Sequence, residues 1–551
     1  MRQNFRKIMK IKTTAFFLVF SIFTTLPISA QSYNSQRPKL IVKMVVSQMR
    51  YDYMNTLRDN FSRDGFQRLM NEGVNCTNAR YNYINTTTPA GLATIVTGSD
   101  PNSHGILSRE WIDYTTNNKI NLIEDRKYYG VGSIEFDGQF SPEKLISGTI
   151  GDELKKNNRN SKVISIAINP MSAIVAGGRN ADAAYWFDPG KGSWATSTYY
   201  MTRLPNWMDR VNDREYINGF NDRNWTPTIN ENNYLFDLGV DMVNNGSRKF
   251  SLGNLFRRKN NSGNYENLTS SPVGIDMMVD MARQAVIYEN LGKDENPDIL
   301  IITIDQTRDI SESYGSESKE MEDAVYRVDH CIAGFIDFLN LQVGKENYIL
   351  VVTSDHGASD PYSENSRHHG GMFNVTQFKA IMNGFLNTQY GPEEWIVDYN
   401  NKSLYFNRTR VFERGLNLEE MQSKAASFAM QFRGVAHAVT STALQNGHYS
   451  AGIMGRMQNG FHPKYSGDII INLMPGWIEE TDGVVSSSGS LYEYDTHVPL
   501  MWYGYRLSGE TVNNAIDMTD ISPTLSRILK INRPETSSGQ DIIPIINNIE
   551  K

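Results

Sequence analysis

Short runs of apolar, β-branched residues recur at wide intervals, at Leu40–Val46, Lys162–Ile168, Ile299–Ile304, Tyr348–Thr353, Asp468–Leu473 and Pro499–Trp502, each entering a polar or glycine-containing turn. Continuous apolar runs of this length predict strands buried on both faces, as in a parallel sheet. Between them lie amphipathic patterns such as Glu322–Leu339, in which Val325, Val328, Ile332, Phe335 and Phe338 share one helical face. Strand alternating with helix predicts an α/β fold: a doubly wound, mostly parallel sheet with helices on both faces. Two stretches, Tyr185–Tyr265 and Phe373–His462, break the rhythm with Asn, Asp, Arg, Trp and Tyr. They are expected to be inserted cap segments over the carboxyl edge of the sheet, where ligand specificity usually resides.

Composition narrows the class. With 551 residues, 40% hydrophobic, and two cysteines, the chain is neither disordered nor collagen-like nor a disulfide scaffold. Its length predicts one large domain with insertions, or two domains. Residues 1–30 read as a signal peptide: Arg2, Arg6, Lys7, Lys10 and Lys12 precede the apolar run Ala15–Phe23, and Ile28-Ser29-Ala30 offers small residues for cleavage. A periplasmic or secreted protein without a transmembrane segment is therefore expected, beginning near Gln31 after cleavage at Ala30. The formal charge of −7 becomes −12 once those five bases are removed, which argues against nucleic acid as a partner. Cys76 and Cys331 leave both one bridge and two free thiols open.

Two segments stand out chemically. Thr353-Ser354-Asp355-His356-Gly357 follows the run Tyr348–Val352 and sets a carboxylate and an imidazole at a strand's carboxyl end, where neighbouring side chains can serve two metal ions or simply cap a helix. In Asn85-Thr86-Thr87-Thr88-Pro89-Ala90-Gly91-Leu92-Ala93, a Thr before a Pro is a natural helix N-cap. The same geometry aims a hydroxyl at any anion held by the helix N-terminus, so Thr88 is also a candidate nucleophile.

Together with Gln48-Met49-Arg50-Tyr51-Asp52-Tyr53, Thr97-Gly98-Ser99, His104-Gly105-Ile106, Ala181 through Asp188, Ser466-Gly467-Asp468, Tyr494-Asp495-Thr496-His497-Val498-Pro499-Leu500 and Asp517 through Pro523, these motifs resemble one family over most of the mature chain. It is the PafA-type periplasmic alkaline phosphatases, within the alkaline phosphatase and nucleotide pyrophosphatase/phosphodiesterase superfamily. The resemblance implies an alkaline-phosphatase-like fold, two zinc ions on six side chains, a threonine nucleophile, and a phosphate clamp of one Asn and a Lys-x-Arg pair.

Carried over position by position, the nucleophile falls on Thr88 and an Asp-His ligand pair on Asp355 and His356. The other ligand positions hold Ser47, Arg308, Glu312 and Ser488, and the clamp positions hold Arg109, Asn169 and Met171. Arginine cannot bind zinc, and Glu312 is a chemically possible third ligand; Asp305, Asp309 and His368 could join only through a local shift. A catalytic zinc usually needs three protein ligands, so none, or one weakly held zinc, is expected. Arg109 and Arg308 are expected to fill the vacated volume and pair with Asp355 or Glu312, or else to form a phosphate- or sulfate-binding pocket. The sequence thus predicts a catalytically degenerate member that binds a small anion or a cell-envelope protein, the latter suggested by Trp194, Trp207, Trp225 and Trp395 in the insertions. The alternative is an active phosphate- or sulfate-ester hydrolase using Thr88 with rewired ligands, or with two zinc ions.

Overall fold

A computed structural model describes residues 37–236, 265–362 and 370–551. The segment read as a signal peptide, as well as His368 and His369, lies outside the described residues. No helix among the described residues is long and apolar enough to cross a membrane.

Residues Pro38–Lys551 form one unit around an 11-stranded sheet. Its middle runs Tyr348–Thr353, Leu40–Val46, Asp298–Ile304, Val163–Ala167, Ala183–Asp188, all parallel. Every residue of the strands beginning at Leu40, Asp298 and Tyr348 is buried, as strands covered on both faces must be. One core packs Leu40, Val42, Met44 and Val46 against the helices Pro272–Tyr288 and Lys319–Gln342; the other packs Ile41 and Val45 against Thr88–Thr97, Pro170–Gly177 and Ile521–Leu529. The helix expected over Glu322–Leu339 is the middle of Lys319–Gln342, capped by the Ser318 hydroxyl accepting from the Met321 N–H. This is the doubly wound α/β architecture that the strand and helix patterns predicted.

Three assignments differ in detail. Pro499–Trp502 belongs to His497–Gly504, which runs antiparallel to Tyr348–Thr353 and to Val74–Arg80. Asp468–Leu473 supplies no strand to the main sheet. Instead Ile469–Leu473 joins Ile396–Asn400, Ser403–Phe406 and Val435–Thr440 in a separate four-stranded sheet with its own apolar core, including Phe378, Met382 and Trp395. A short apolar run reports burial, not which sheet it enters or in which direction. Residues 183–188 and 193–197, at the start of the first interrupted stretch, extend the main sheet, whose edge on that side is Gly130–Val131. Cys76 and Cys331 are both free thiols, and they lie in the two opposite cores, with the sheet between them. Burial pushes the Cys76 thiol up to about 12, so it is inert at physiological pH.

Candidate active site

The carboxyl ends of four neighbouring parallel strands converge, which is where ligands bind in open α/β sheets. Leu40–Val46 delivers Ser47 and Gln48, Tyr348–Thr353 delivers Asp355 and His356, Asp298–Ile304 leads into the helix Gln306–Tyr314 carrying Arg308 and Glu312, and Val163–Ala167 leads to Asn169. The helix Thr88–Thr97 points its N-terminus at the same place.

Thr88 is not a cap. The Thr87 hydroxyl goes to the Leu107 carbonyl at 3.0 Å, while Thr88 Oγ1 sits 3.2 Å from His356 Nε2 and 3.3 Å from Ser47 Oγ. The helix can approach this closely because residue 91 is glycine: a Cβ there would lie 1.9 Å from the Asp355 carbonyl oxygen. Gly91→Ala is therefore expected to push the helix off Asp355 and to cost about 1–3 kcal/mol, the range of overpacking in a tight core. A variant melting within a degree of the parent would show that the contact is not tight.

Asp355 is saturated by its neighbours. Its Oδ2 accepts from Ser47 Oγ at 2.7 Å, and its Oδ1 accepts from the N–H groups of His356 at 2.8 Å and Gln48 at 3.2 Å. His356 Nδ1 lies 2.7 Å from the Gly357 carbonyl, and since a carbonyl only accepts, Nδ1 carries the proton. With Nδ1 turned to that carbonyl, Nε2 is the ring nitrogen that faces the Thr88 hydroxyl, and it also lies 3.6 Å from Asp355 Oδ2. Thr88, Ser47, Asp355 and His356 are all buried.

The remaining expected site residues fall into three groups. Arg308 enters the cluster but does not pair with Asp355: its Nη2 and Nε reach Asp309 Oδ1 at 2.7 and 3.0 Å, and its Nη1 lies 3.9 Å from Asp305 Oδ1. Asp305, three residues back, shares a helical face with Arg308, and the long side chain also folds onto the adjacent Asp309. Glu312 accepts from Gln48 Nε2 at 3.0 Å; burial pushes its carboxyl up, and the Arg308 guanidinium opposes that shift. Asp305 accepts from Ser172 Oγ at 2.6 Å and the Asn169 N–H at 3.0 Å, and burial raises it to about 6 against the pull of Arg308.

Asn169 and Met171 have been turned into scaffold. Asn169 Oδ1 caps the Met171 N–H at 2.9 Å at the start of the helix Pro170–Gly177, and Met171 is buried in the core. Arg109 is exposed, which corrects the expectation that it fills the vacated volume. It follows a turn and enters the hairpin strand Glu110–Ile112, so its backbone carries it outward. Ser488 contributes its carbonyl, which accepts from Lys402 Nζ at 2.6 Å.

Lys402, Gln48 and Asp495 are the residues that sequence reasoning did not single out. Asp495 Oδ2 accepts from the Ser490 N–H at 2.6 Å, beside the position of Ser488, and its buried Oδ1 has no hydrogen-bond partner among the described residues. The Asn400-Asn401-Lys402 run signals a hairpin turn, but nothing local says where its tip lands. Among the described residues, no group of three or more His, Cys, Asp and Glu side chains is disposed to hold a metal ion.

A family model for type I phosphodiesterase / nucleotide pyrophosphatase matches residues 41–487. A Myroides odoratus protein named as a calcium-transporting ATPase is 32% identical over 520 residues, covering 92% of this chain and 94% of that one. Alkaline phosphatase PhoV of Synechococcus elongatus is 30% identical over 517 residues, covering 93% of each. The crystal structure of wild-type alkaline phosphatase PafA superposes with a TM-score of 0.85 at 28% identity, covering 92% of this chain and 99% of that one. These relatives support a phosphoesterase-type function, and the chain belongs to the type I phosphodiesterase / nucleotide pyrophosphatase family.

Proposed function

We propose that this is a secreted or periplasmic alkaline-phosphatase-like protein that binds a phosphate- or sulfate-type anion without two-zinc hydrolysis. The observation that carries this reading is Arg308, a permanently charged donor at a family ligand position, held 2.7 Å from Asp309. The donor set does not fit a zinc pair. Ser47 offers a neutral hydroxyl already committed to Asp355, Glu312 is bonded to an amide, and Ser488 presents only a carbonyl that Lys402 occupies. Asp355 and His356 alone are fewer than the three protein ligands a catalytic zinc usually has.

Purified mature protein, dialysed against low-micromolar zinc, is expected to retain almost no zinc per chain and to leave p-nitrophenyl phosphate intact. About two zinc ions per chain, with hydrolysis that depends on Thr88, would overturn the proposal. The single change Ser47→Asp is expected to leave activity absent, since Arg308 and Ser488 remain.

One observation favours a second reading. Thr88 Oγ1 lies 3.2 Å from His356 Nε2, with Nδ1 anchored on the Gly357 carbonyl. That is the arrangement of a nucleophile with a general base. On this reading Thr88 Oγ1 bonds to phosphorus as His356 takes its proton, the ester P–O bond breaks and the proton passes to the departing alkoxide; water, giving its proton to His356, then cleaves the Thr88 phosphoester, releasing phosphate as His356 returns the proton to Oγ1. EDTA-resistant hydrolysis that falls at least about 100-fold in Thr88→Ala would establish it; activity indifferent to Thr88 would exclude it.

A further inference from the structure

We infer that Lys402 is the residue that receives the anion, an ammonium lowered by the cap into the place beside Ser488 where the family positions a metal ligand. It rests on the anion-binding reading above.

Lys402 ends the turn between the strands Ile396–Asn400 and Ser403–Phe406, and both Asn401 and Lys402 adopt positive φ, 49° and 54°, as a tight hairpin with matched twist requires. The tip is fastened to the segment that also anchors Thr87, the residue before Thr88. Asn400 Nδ2 donates to the Glu110 carbonyl at 2.6 Å and Asn401 Nδ2 to the Leu107 carbonyl at 3.2 Å, the same carbonyl that takes the Thr87 hydroxyl. On the other side Lys402 Nζ reaches the Ser488 carbonyl, crossing Gly489, where φ is +99° and a Cβ would lie 2.4 Å from Nζ. Gly489 is itself tied to the strand of residues leading to Thr88: its N–H donates to Thr86 Oγ1 at 3.2 Å, and its carbonyl accepts from the Asn85 N–H.

Lys402 is 7% exposed, and the one hydrogen bond of its ammonium among the described residues is to a neutral carbonyl. It forms no ion pair within 4.0 Å among them. An ammonium has three donors, and a buried charge is ordinarily paired. Asp495 lies in its field, but both carboxylate oxygens stay outside ion-pair range. Two unused N–H directions on a buried cation, beside a segment hydrogen-bonded to Asn85 and Thr86, suit the oxygens of a phosphate or sulfate group.

The test is calorimetric titration of inorganic phosphate, and separately sulfate, into the full mature protein and into Lys402→Met, Lys402→Gln and Lys402→Arg, each first shown to melt cooperatively. Wild type and Lys402→Arg should bind. Lys402→Met and Lys402→Gln should weaken binding about 10-fold or more, the scale of one charge-assisted hydrogen bond. The glutamine variant is one atom shorter but keeps an uncharged N–H donor for the Ser488 carbonyl, so together with Lys402→Met it separates loss of charge from a loosened cap. Folded Lys402→Met and Lys402→Gln proteins that bind like wild type would overturn the role of Lys402 and leave the anion reading standing. Wild-type protein that binds neither anion would overturn both.

Discussion

Lys43→Met should make the protein more stable by roughly 2–4 kcal/mol at neutral pH, with most of that gain gone at pH 10. Lys43 stands in the middle of the central strand, opposite Ile301 and Val351, on the face that carries Ile41 and Val45. Its side chain is fully buried, and its ammonium has no hydrogen-bond partner among the described residues. Burial lowers its pKa from 10.5 to about 7. The folded value lies below the unfolded one, so between pH 7 and 10.5 the unfolded chain binds more protons and stability rises with pH. Below about pH 7 the full penalty is present. A shift of this size corresponds to an upper bound near 4–5 kcal/mol, which relaxation around the site reduces. Methionine fills nearly the same volume without a charge. Thermal melts of both proteins at pH 6, 8 and 10 decide the matter. A gain that is absent, or that fails to shrink between pH 7 and 10, would mean that the ammonium finds a partner.

Arg308→Met should act in the opposite direction and destabilise by about 2–4 kcal/mol, because removing one member of a buried ion cluster leaves the others uncompensated. The Arg308 side chain is 15% exposed and Asp305 is 1% exposed, so water cannot replace the lost guanidinium around Asp305. Asp309, 31% exposed, is better solvated, and Asp309→Asn should therefore cost less. Both are read from thermal or urea denaturation at neutral pH. If Arg308→Met melts at or above the parent temperature, the cluster does not depend on its cation, and the physical basis for an arginine at a ligand position weakens. The contrast with Lys43 is instructive: both are buried cations, but one is surrounded by carboxylates and the other by aliphatic side chains.

The strands at Leu40, Ile299 and Tyr348 were legible because a strand buried on both faces writes an unbroken apolar run, and Lys43 is an isolated exception within one. Their parallel order follows from the helices between them. Strand periodicity placed Asp355 and His356 at a carboxyl end, while their meeting with Thr88, which follows a strand separated from Tyr348–Thr353 by His497–Gly504, was expected only from the family resemblance. It did not say that Pro499–Trp502 would run antiparallel, or that Asp468–Leu473 would leave for the smaller sheet, since periodicity carries no partner information. Nor could it choose partners for the two arginines. Arg308 sits on a helix whose own register offers Asp305 and Asp309 before Asp355, and Arg109 precedes a hairpin strand that carries it to the surface.

Residue patterns along the chain were enough for the fold class, because it depends on rules that act within an element, whereas the meeting of Thr88 with Asp355 and His356 was expected from the family resemblance. The free state of Cys76 and Cys331, the saturation of Asp355 by Ser47, and the arrival of Lys402 beside Ser488 were decided only by folding. Each joins segments that are remote in sequence, 86 residues apart for Lys402 and Ser488 and 308 for Ser47 and Asp355. Contacts of that kind arise from how layers pack, and no local pattern of hydrophobic and polar residues encodes them.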